Sequence, residues 1–344
     1  MREKFRILSI DGGGLKGLIP LQVIKEIERI TAQPIHKSFD LIAGSSTGGL
    51  LTCALLLAEN GVEVGQRKYS LTDIEDIFLH KGKDIFPNYG LLRKLYSSAR
   101  NLIRPQYNAE KYQAILEDFL QEHRISSCLK PLFISSYDLQ SKRPLLFTTR
   151  EASRLAELNA RLVDVCRATS AAPTYFPSYS FTYNSAQVIC VDGGLILNNP
   201  ALAALIEVLG NNTYKYYNKL ETEISLADIA VLSLGTGLTV SSYNANASKN
   251  WGQLQWIRKI LGIVIGAPSL LVENQLETIY NSLGLRNNYL RINVEIDKKY
   301  AKMDDSSPET LSYYIHESQS KITHNHTLQQ RLRIFLRENG IKNL

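Results

Sequence analysis

Phe5 to Ile10, "FRILSI", runs directly into Asp11 to Gly17, "DGGGLKG", and this junction decides how the rest of the chain is read. The near-continuous apolar run suits a strand buried on both faces. From Leu15 to Ile30 the apolar residues Leu18, Leu21, Ile24 and Ile27 recur at helical spacing. Three successive glycines between strand and helix cost backbone entropy and offer nothing to pack, so something there requires bare backbone.

Working outward, Phe39–Ala43 is a short apolar run, and a helical pattern resumes from Leu50 to Glu59. Leu132–Tyr137 and Pro144–Thr149 read as strands joined through "DLQSKR", a hairpin or neighbouring pair. Val188–Val191 and Ile229–Leu234 are further buried strands, the second ending in "GTG". Strand–helix alternation predicts an α/β fold with a largely parallel sheet covered on both faces. Lys81 to Arg104 is more basic, with Tyr89, Leu91, Leu92, Leu95 and Tyr96 interleaved. After Gly237 a polar linker, "SSYNANASKN", leads to a helical region from Trp251 onward. In it, Trp251, Trp256, Ile257, Ile260, Leu261 and Val264 fit ordinary core packing better than a mobile rim. The tail from Thr327 to Glu338 places Leu328, Leu332, Phe335 and Leu336 on one face, as a docked helix would. The expected organisation is a catalytic domain over residues 1–310 with a packed helical tail over 311–344.

The chain has 344 residues, 44% of them hydrophobic and 21% charged, which suits a compact core and excludes disorder. A net charge of +6 is too mild for a dedicated nucleic-acid binder and fits approach to an anionic membrane surface. Cys53, Cys128, Cys166 and Cys190 form no CxxC pair and read as reduced thiols. No signal peptide is visible, and the longest apolar stretch, Ile257 to Val272, is interrupted by Arg258, Lys259 and Pro268. A cytoplasmic protein with peripheral membrane contact is expected, with no cofactor and no nucleic acid.

Gly12 to Gly17 matches GxGxxG in the position of a dinucleotide fingerprint. Asp11 would repel a pyrophosphate there, and Asp40 precedes the apolar run Leu41–Ala43 where a ribose-binding acid should follow it. The alternative use of bare N–H groups at a helix start is a preorganised oxyanion hole. That use demands a nucleophile.

Phe39 to Leu50 supplies one: "FDLIAGSSTGGL" contains Gly44-Ser45-Ser46-Thr47-Gly48, a G-x-S-x-G at a strand–turn–helix junction. Ser46 is the central position, and Ser45 is expected to face a packed neighbour. By average composition G-x-S-x-G arises in about one chain in ten of this length, but D-G-G-G-x-x-G in fewer than about one in a thousand. A serine also needs a base. Asp192, ending the run "VICVDGG", is one candidate, since partial desolvation would raise a carboxylate toward useful basicity. A Ser46–Asp192–His arrangement through His316, His324 or His326 is formally open, although those histidines sit in the polar stretch "YIHESQSKITHNHT".

Taken together and in this order, "DGGGLKG", "GSSTGG" and "VDGG" resemble the patatin-like phospholipases, lipid acyl hydrolases with a Ser–Asp dyad. "ISSYDLQSKRPLLFT", "ATSAAPTYFPSY", "VLSLGTG" and "NNYLRI" extend the likeness to about Asp305. The resemblance implies a three-layer α/β/α sandwich around a mostly parallel sheet. It implies Ser46 as nucleophile, Asp192 as base, and the amides of Gly12, Gly13 and Gly14 around the oxyanion. Lys16 would add positive charge to that loop, Gly44 and Gly48 would shape the elbow, and Ala171–Pro177 would form a wall near the dyad. Membrane lipids are the implied substrates, and their hydrolysis would need no metal. No calcium loop or HExxH is present, and Met303–Asp305 reads as a solvated acidic turn. Two departures stand out: the family's usual G-T-S-T-G is G-S-S-T-G here, and plant patatins carry a secretory signal. An idle, lipid-binding patatin fold is the competing class.

Overall fold

The computed structural model describes residues 4–59, 65–87, 104–210, 224–239, 245–249 and 251–341. In chain order, the elements that place the site are β1 (Phe5–Ile10), α1 (Leu18–Thr31), β2 (Leu41–Ser45), α2 (Thr47–Leu56), α3 (Ala109–Leu120), β3 (Leu132–Asp138) and β4 (Arg143–Thr148). They are followed by α4 (Leu162–Thr169), β5 (Tyr179–Tyr183), β6 (Ala186–Asp192), α5 (Ala201–Leu209), β7 (Ile229–Leu234), α6 (Gln253–Ser282), β8 (Tyr289–Ile292), α7 (Pro308–Thr323) and α8 (His326–Glu338).

The strands form one sheet, ordered β5-β6-β3-β2-β1-β7-β8, with β4 also paired to β3. The run from β3 through β2, β1 and β7 to β8 is parallel, whereas β4, β5 and β6 pair antiparallel. Strand periodicity divides the core between two faces. Leu8, Ile10, Ile42, Ile134, Leu232 and Leu234 pack with α1, α2, α3, α4, α7 and α8. Their chain neighbours Ile7, Leu41, Ala43, Phe133 and Val231 pack on the other face with α5 and with Leu276 and Tyr280 of α6. The result is the expected three-layer α/β/α sandwich around a mostly parallel sheet.

Several boundaries shift for physical reasons. The helix predicted from Leu15 begins at Leu18, because Gly14–Gly17 is wound as a tighter 3-10 turn. The helix predicted from Leu50 starts at Thr47, immediately behind Ser46. Helix α7 runs across position 310, and Leu311, Tyr314, Ile322, Leu332, Phe335 and Leu336 join the same core as α1. Two strands escaped periodicity: β5 alternates exposed and half-buried residues until Tyr183, and β8 spans four residues. Of the basic stretch Lys81–Arg104, residues 88–103 lie outside the described residues, as do 241–244 and 250 of the polar linker. The core-packing expectation for the start of α6 fails at Trp256 and Ile260, which are exposed, while Trp251 and Val264 are half-buried and the side chains of Ile257 and Leu261 lie outside the described residues.

Candidate active site

The site follows from how three strands share β3. Strand β4 occupies one edge of β3 from Phe133 to Asp138. The other edge is divided, with β2 paired at Leu132–Ser135 and β6 paired at Ser136–Asp138. Ser45 is opposite Ser135 and Asp192 is opposite Ser136, so the ends of β2 and β6 meet on adjacent β3 residues. Ser46 and Asp192 are thereby brought together. The Ser46 hydroxyl Oγ donates to Asp192 Oδ2 at 2.7 Å.

Ser46 turns the chain from β2 into α2 at φ 51°, ψ −122°, a conformation that is strained for a residue with a Cβ. The turn is tight enough that a Cβ on Gly44 would lie 2.2 Å from the Gly48 carbonyl oxygen, and one on Gly48 would lie 2.1 Å from that of Ile10. Only glycine fits at either place. Ser45 is buried and accepts a hydrogen bond from Ser135 Oγ at 3.1 Å, facing a packed neighbour as expected.

Thr169, the last residue of α4, and Ala171 just beyond it tie both halves of the pair. Thr169 Oγ1 accepts the Ser46 N–H at 2.9 Å and donates to the Ser135 carbonyl at 2.6 Å. The Thr169 carbonyl accepts from Gly193 N–H, and the Ala171 carbonyl accepts from Asp192 N–H. This "ATSAAP" segment is more than a wall. Sequence reasoning missed Thr169, whose partners lie far away in the chain. Asp192 is buried, and its Oδ1 accepts the Gly194 N–H at 2.7 Å. Burial raises its carboxyl pKa to about 6, against the opposing pull of the Ser46 and Gly194 hydrogen bonds.

The acid that closes β1 has a partner. Asp11 forms a bidentate pair with Arg291 of β8, at 2.9 and 2.5 Å, and both side chains are 3% exposed. Arg291 also donates to Ser233 Oγ and lies 3.5 Å from Glu273 of α6. Burial raises the Asp11 pKa while the guanidinium charge pulls it back. The glycine loop therefore starts from a fixed charge pair.

Within the loop, Gly12 N–H donates to the Asn198 carbonyl at 3.1 Å, so this amide is spoken for, contrary to the expectation that all three glycines serve an oxyanion. The Gly12 carbonyl accepts from Thr236 Oγ1 of the "GTG" motif at 2.6 Å. In a trans peptide the Gly13 N–H must point the opposite way. Gly13 and Gly14 N–H have no hydrogen-bond partner among the described residues. Gly14, at φ +58°, is covered by Met303, whose carbonyl accepts the Leu15 N–H at 2.8 Å. The "MDD" stretch is thus a half-buried brace and not a solvated turn: Asp304 accepts from Tyr107 Oη, and Asp305 from Thr310 Oγ1. Lys16 is half-buried without an ion-pair partner among the described residues, and burial lowers its ammonium pKa to about 8.

Gly14, Ser46 and Asp192 open on an apolar cavity lined by Leu51, Ala54, Phe78, Leu116, Phe119 and Phe176, among others, with about 980 Å³ of empty space including its mouth. None of the six histidines lines it; His316, His324 and His326 are exposed on α7, α8 and their junction. All four cysteines are free. Among the described residues, no cluster of three or more His, Cys, Asp or Glu side chains is arranged to hold a metal ion.

Residues 8–205 match the family model for patatin-like phospholipase. Patatin-like protein 1 from Oryza sativa subsp. indica is 32% identical over 315 residues, covering 84% of this chain and 74% of the relative. Patatin-T5 from Solanum tuberosum is 29% identical over 91% of this chain and 82% of its own length. A potato relative named probable inactive patatin-3-Kuras 1 is 30% identical over 84% of this chain and 78% of its own.

Proposed function

Because the chain belongs to the patatin-like phospholipase family, we propose that it is a serine lipid acyl hydrolase cleaving fatty-acyl esters of phospholipids and related glycerolipids. The observation that carries this reading is the 2.7 Å hydrogen bond between Ser46 and a buried Asp192 at the mouth of an apolar cavity. The cavity takes the acyl chain and sets the ester carbonyl over Ser46 Oγ. Asp192 accepts the hydroxyl proton as Ser46 attacks, and the carbonyl oxygen becomes an oxyanion facing Gly13 and Gly14 N–H. Collapse of the tetrahedral species breaks the ester C–O bond, and the proton on Asp192 passes to the departing alkoxide. Water then attacks the acyl-enzyme with Asp192 as base, releasing fatty acid and restoring the hydroxyl. Lys16 adds positive potential behind the loop. No step calls for a metal. Four free thiols favour a reducing, cytoplasmic setting with peripheral membrane contact.

A fluorophosphonate probe tests the chemistry. Labelling that is present in the wild type and in Ser45→Ala, and lost in Ser46→Ala and Asp192→Asn, is the expected pattern. Folded wild-type protein that neither labels nor releases fatty acid would support the second reading, an idle lipid-binding fold. The relative named as probably inactive is the reason to run it.

A further inference from the structure

Helix α6 presents one exposed face that changes character along its length. As far as Leu271 that face carries Trp256 (44% exposed), Ile260 (50%), Ile263 (40%), Leu270 (44%) and Leu271 (57%). Beyond Val272 the exposed positions are Asn274, Gln275, Glu277, Thr278, Asn281 and Ser282. From Ser269 onward the opposite face is internal, with Ser269, Leu276 and Tyr280 buried. A helix serving only to cover the sheet would be polar outside throughout. The large apolar side chains are confined to the stretch beyond the sheet-packed half, and they form a patch of the kind that marks an interaction surface.

We propose that α6 from Trp256 to Leu271 lies in the headgroup region of an anionic phospholipid bilayer and docks the catalytic face on its substrate, an inference that rests on the lipid-hydrolase reading above. Three observations favour this occupant. From residue 253 to 272 the sequence holds Arg258 and Lys259 and no Asp or Glu, so the segment complements negative headgroups. A second copy of this chain would instead oppose cation to cation. The two tryptophans pack edge to face with centroids 5.3 Å apart, and Lys259 Nζ lies 4.2 Å from the Trp251 ring. Amphipathic aromatic rings and long cationic stems suit the boundary between headgroups and acyl chains. Among the described residues no helix is long and apolar enough to cross a membrane, which leaves a helix lying along the surface.

The geometry also connects this helix to the chemistry. Ser269 Oγ accepts from Asn198 Nδ2 at 3.1 Å, and the Asn198 carbonyl is the acceptor for Gly12 N–H. One residue therefore links the proposed docking helix to the glycine loop. A bilayer held against α6 would present its lipid near the loop and the cavity mouth.

The test compares two double variants of the full chain by flotation with vesicles of phosphatidylcholine and phosphatidylserine. Ile260→Asp/Leu271→Asp should weaken vesicle partitioning by at least about tenfold, since two apolar side chains no longer insert. Asn274→Asp/Thr278→Asp adds the same charge on the polar part of the same face and should stay within about threefold of wild type. Both should hydrolyse a soluble short-chain ester as the wild type does, which separates docking from chemistry. Ser46→Ala should float with vesicles while hydrolysing nothing, so failed catalysis and failed docking are distinguishable. Equal partitioning of wild type and Ile260→Asp/Leu271→Asp would overturn the proposal, as would equal loss in both double variants. So would a wild-type dimer that ignores vesicles and that Ile260→Asp/Leu271→Asp converts to monomer.

Discussion

Removing Arg291 tests whether the charge pair beneath the glycine loop organises the site. Arg291→Met keeps much of the side-chain length and deletes the guanidinium, leaving Asp11 in a site where both partners are 3% exposed. Breaking a buried pair from one side costs about 3–5 kcal/mol, because the remaining charge has neither water nor a counter-ion. Ser233 Oγ loses a donor at the same time. At about 2–4 °C per kcal/mol, the melting temperature should fall by roughly 6–20 °C. The pH dependence has a definite sign. Burial already raises the Asp11 pKa, and losing the arginine removes the opposing pull. A carboxyl raised in the folded state contributes stability that is present below its unfolded pKa and lost as pH rises through its folded pKa. The deficit of Arg291→Met should therefore widen from acid toward neutral pH. Asp11→Leu/Arg291→Met should recover most of the loss, since a buried pair exchanged for apolar groups is often close to neutral. The assay is chemical denaturation at several pH values, with fluorophosphonate labelling rate as the readout of loop geometry. A single variant within about 1 kcal/mol of wild type, or a double variant no better than the single, would refute the reasoning.

Ester hydrolysis should rise with pH to a plateau with a midpoint near 6, because the carboxylate form of Asp192 takes the proton; a pH-rate profile of kcat/KM checks it. The same raised pKa means that stability from protonated Asp192 is lost as pH climbs past about 6, so Asp192→Asn should be more stable than wild type at pH 8 by on the order of 2–3 kcal/mol. Thr169→Val strands the Ser46 N–H and the Ser135 carbonyl, at about 1–3 kcal/mol for each buried group left unpaired. Thr169→Ser retains both bonds and should stay near wild type in melting temperature and kcat. Ala54→Phe fills part of the cavity and should shift the preferred acyl chain toward shorter lengths in a series of esters, with little change for the shortest.

What was legible in the chain was legible because it is local. The glycine loop and Gly44–Gly48 each turn a strand into a helix within a few residues, so strand pattern, turn chemistry and helix start all lie in one window. The strand limits of β1 and β7 were read correctly for the same reason, since a strand covered on both faces is apolar throughout. Reading Asp11 only as a charge that repels phosphate overlooked its partner, 280 residues away. The start of α6 reads as core because apolar helical spacing is the same whether the stripe meets a sheet or stays uncovered.

By itself the sequence determined the family, the alternation of strands and helices, and the two turns at which backbone is bared. Tertiary structure alone decided that β2 and β6 would end head to head along one edge of β3, closing a gap of 146 residues to a single hydrogen bond. It also decided which loop amides stay unpaired and which apolar stripe stays uncovered. The physical reason is that pairing across a sheet edge and burial of a face depend on what else packs there, and no window of neighbouring residues carries that information.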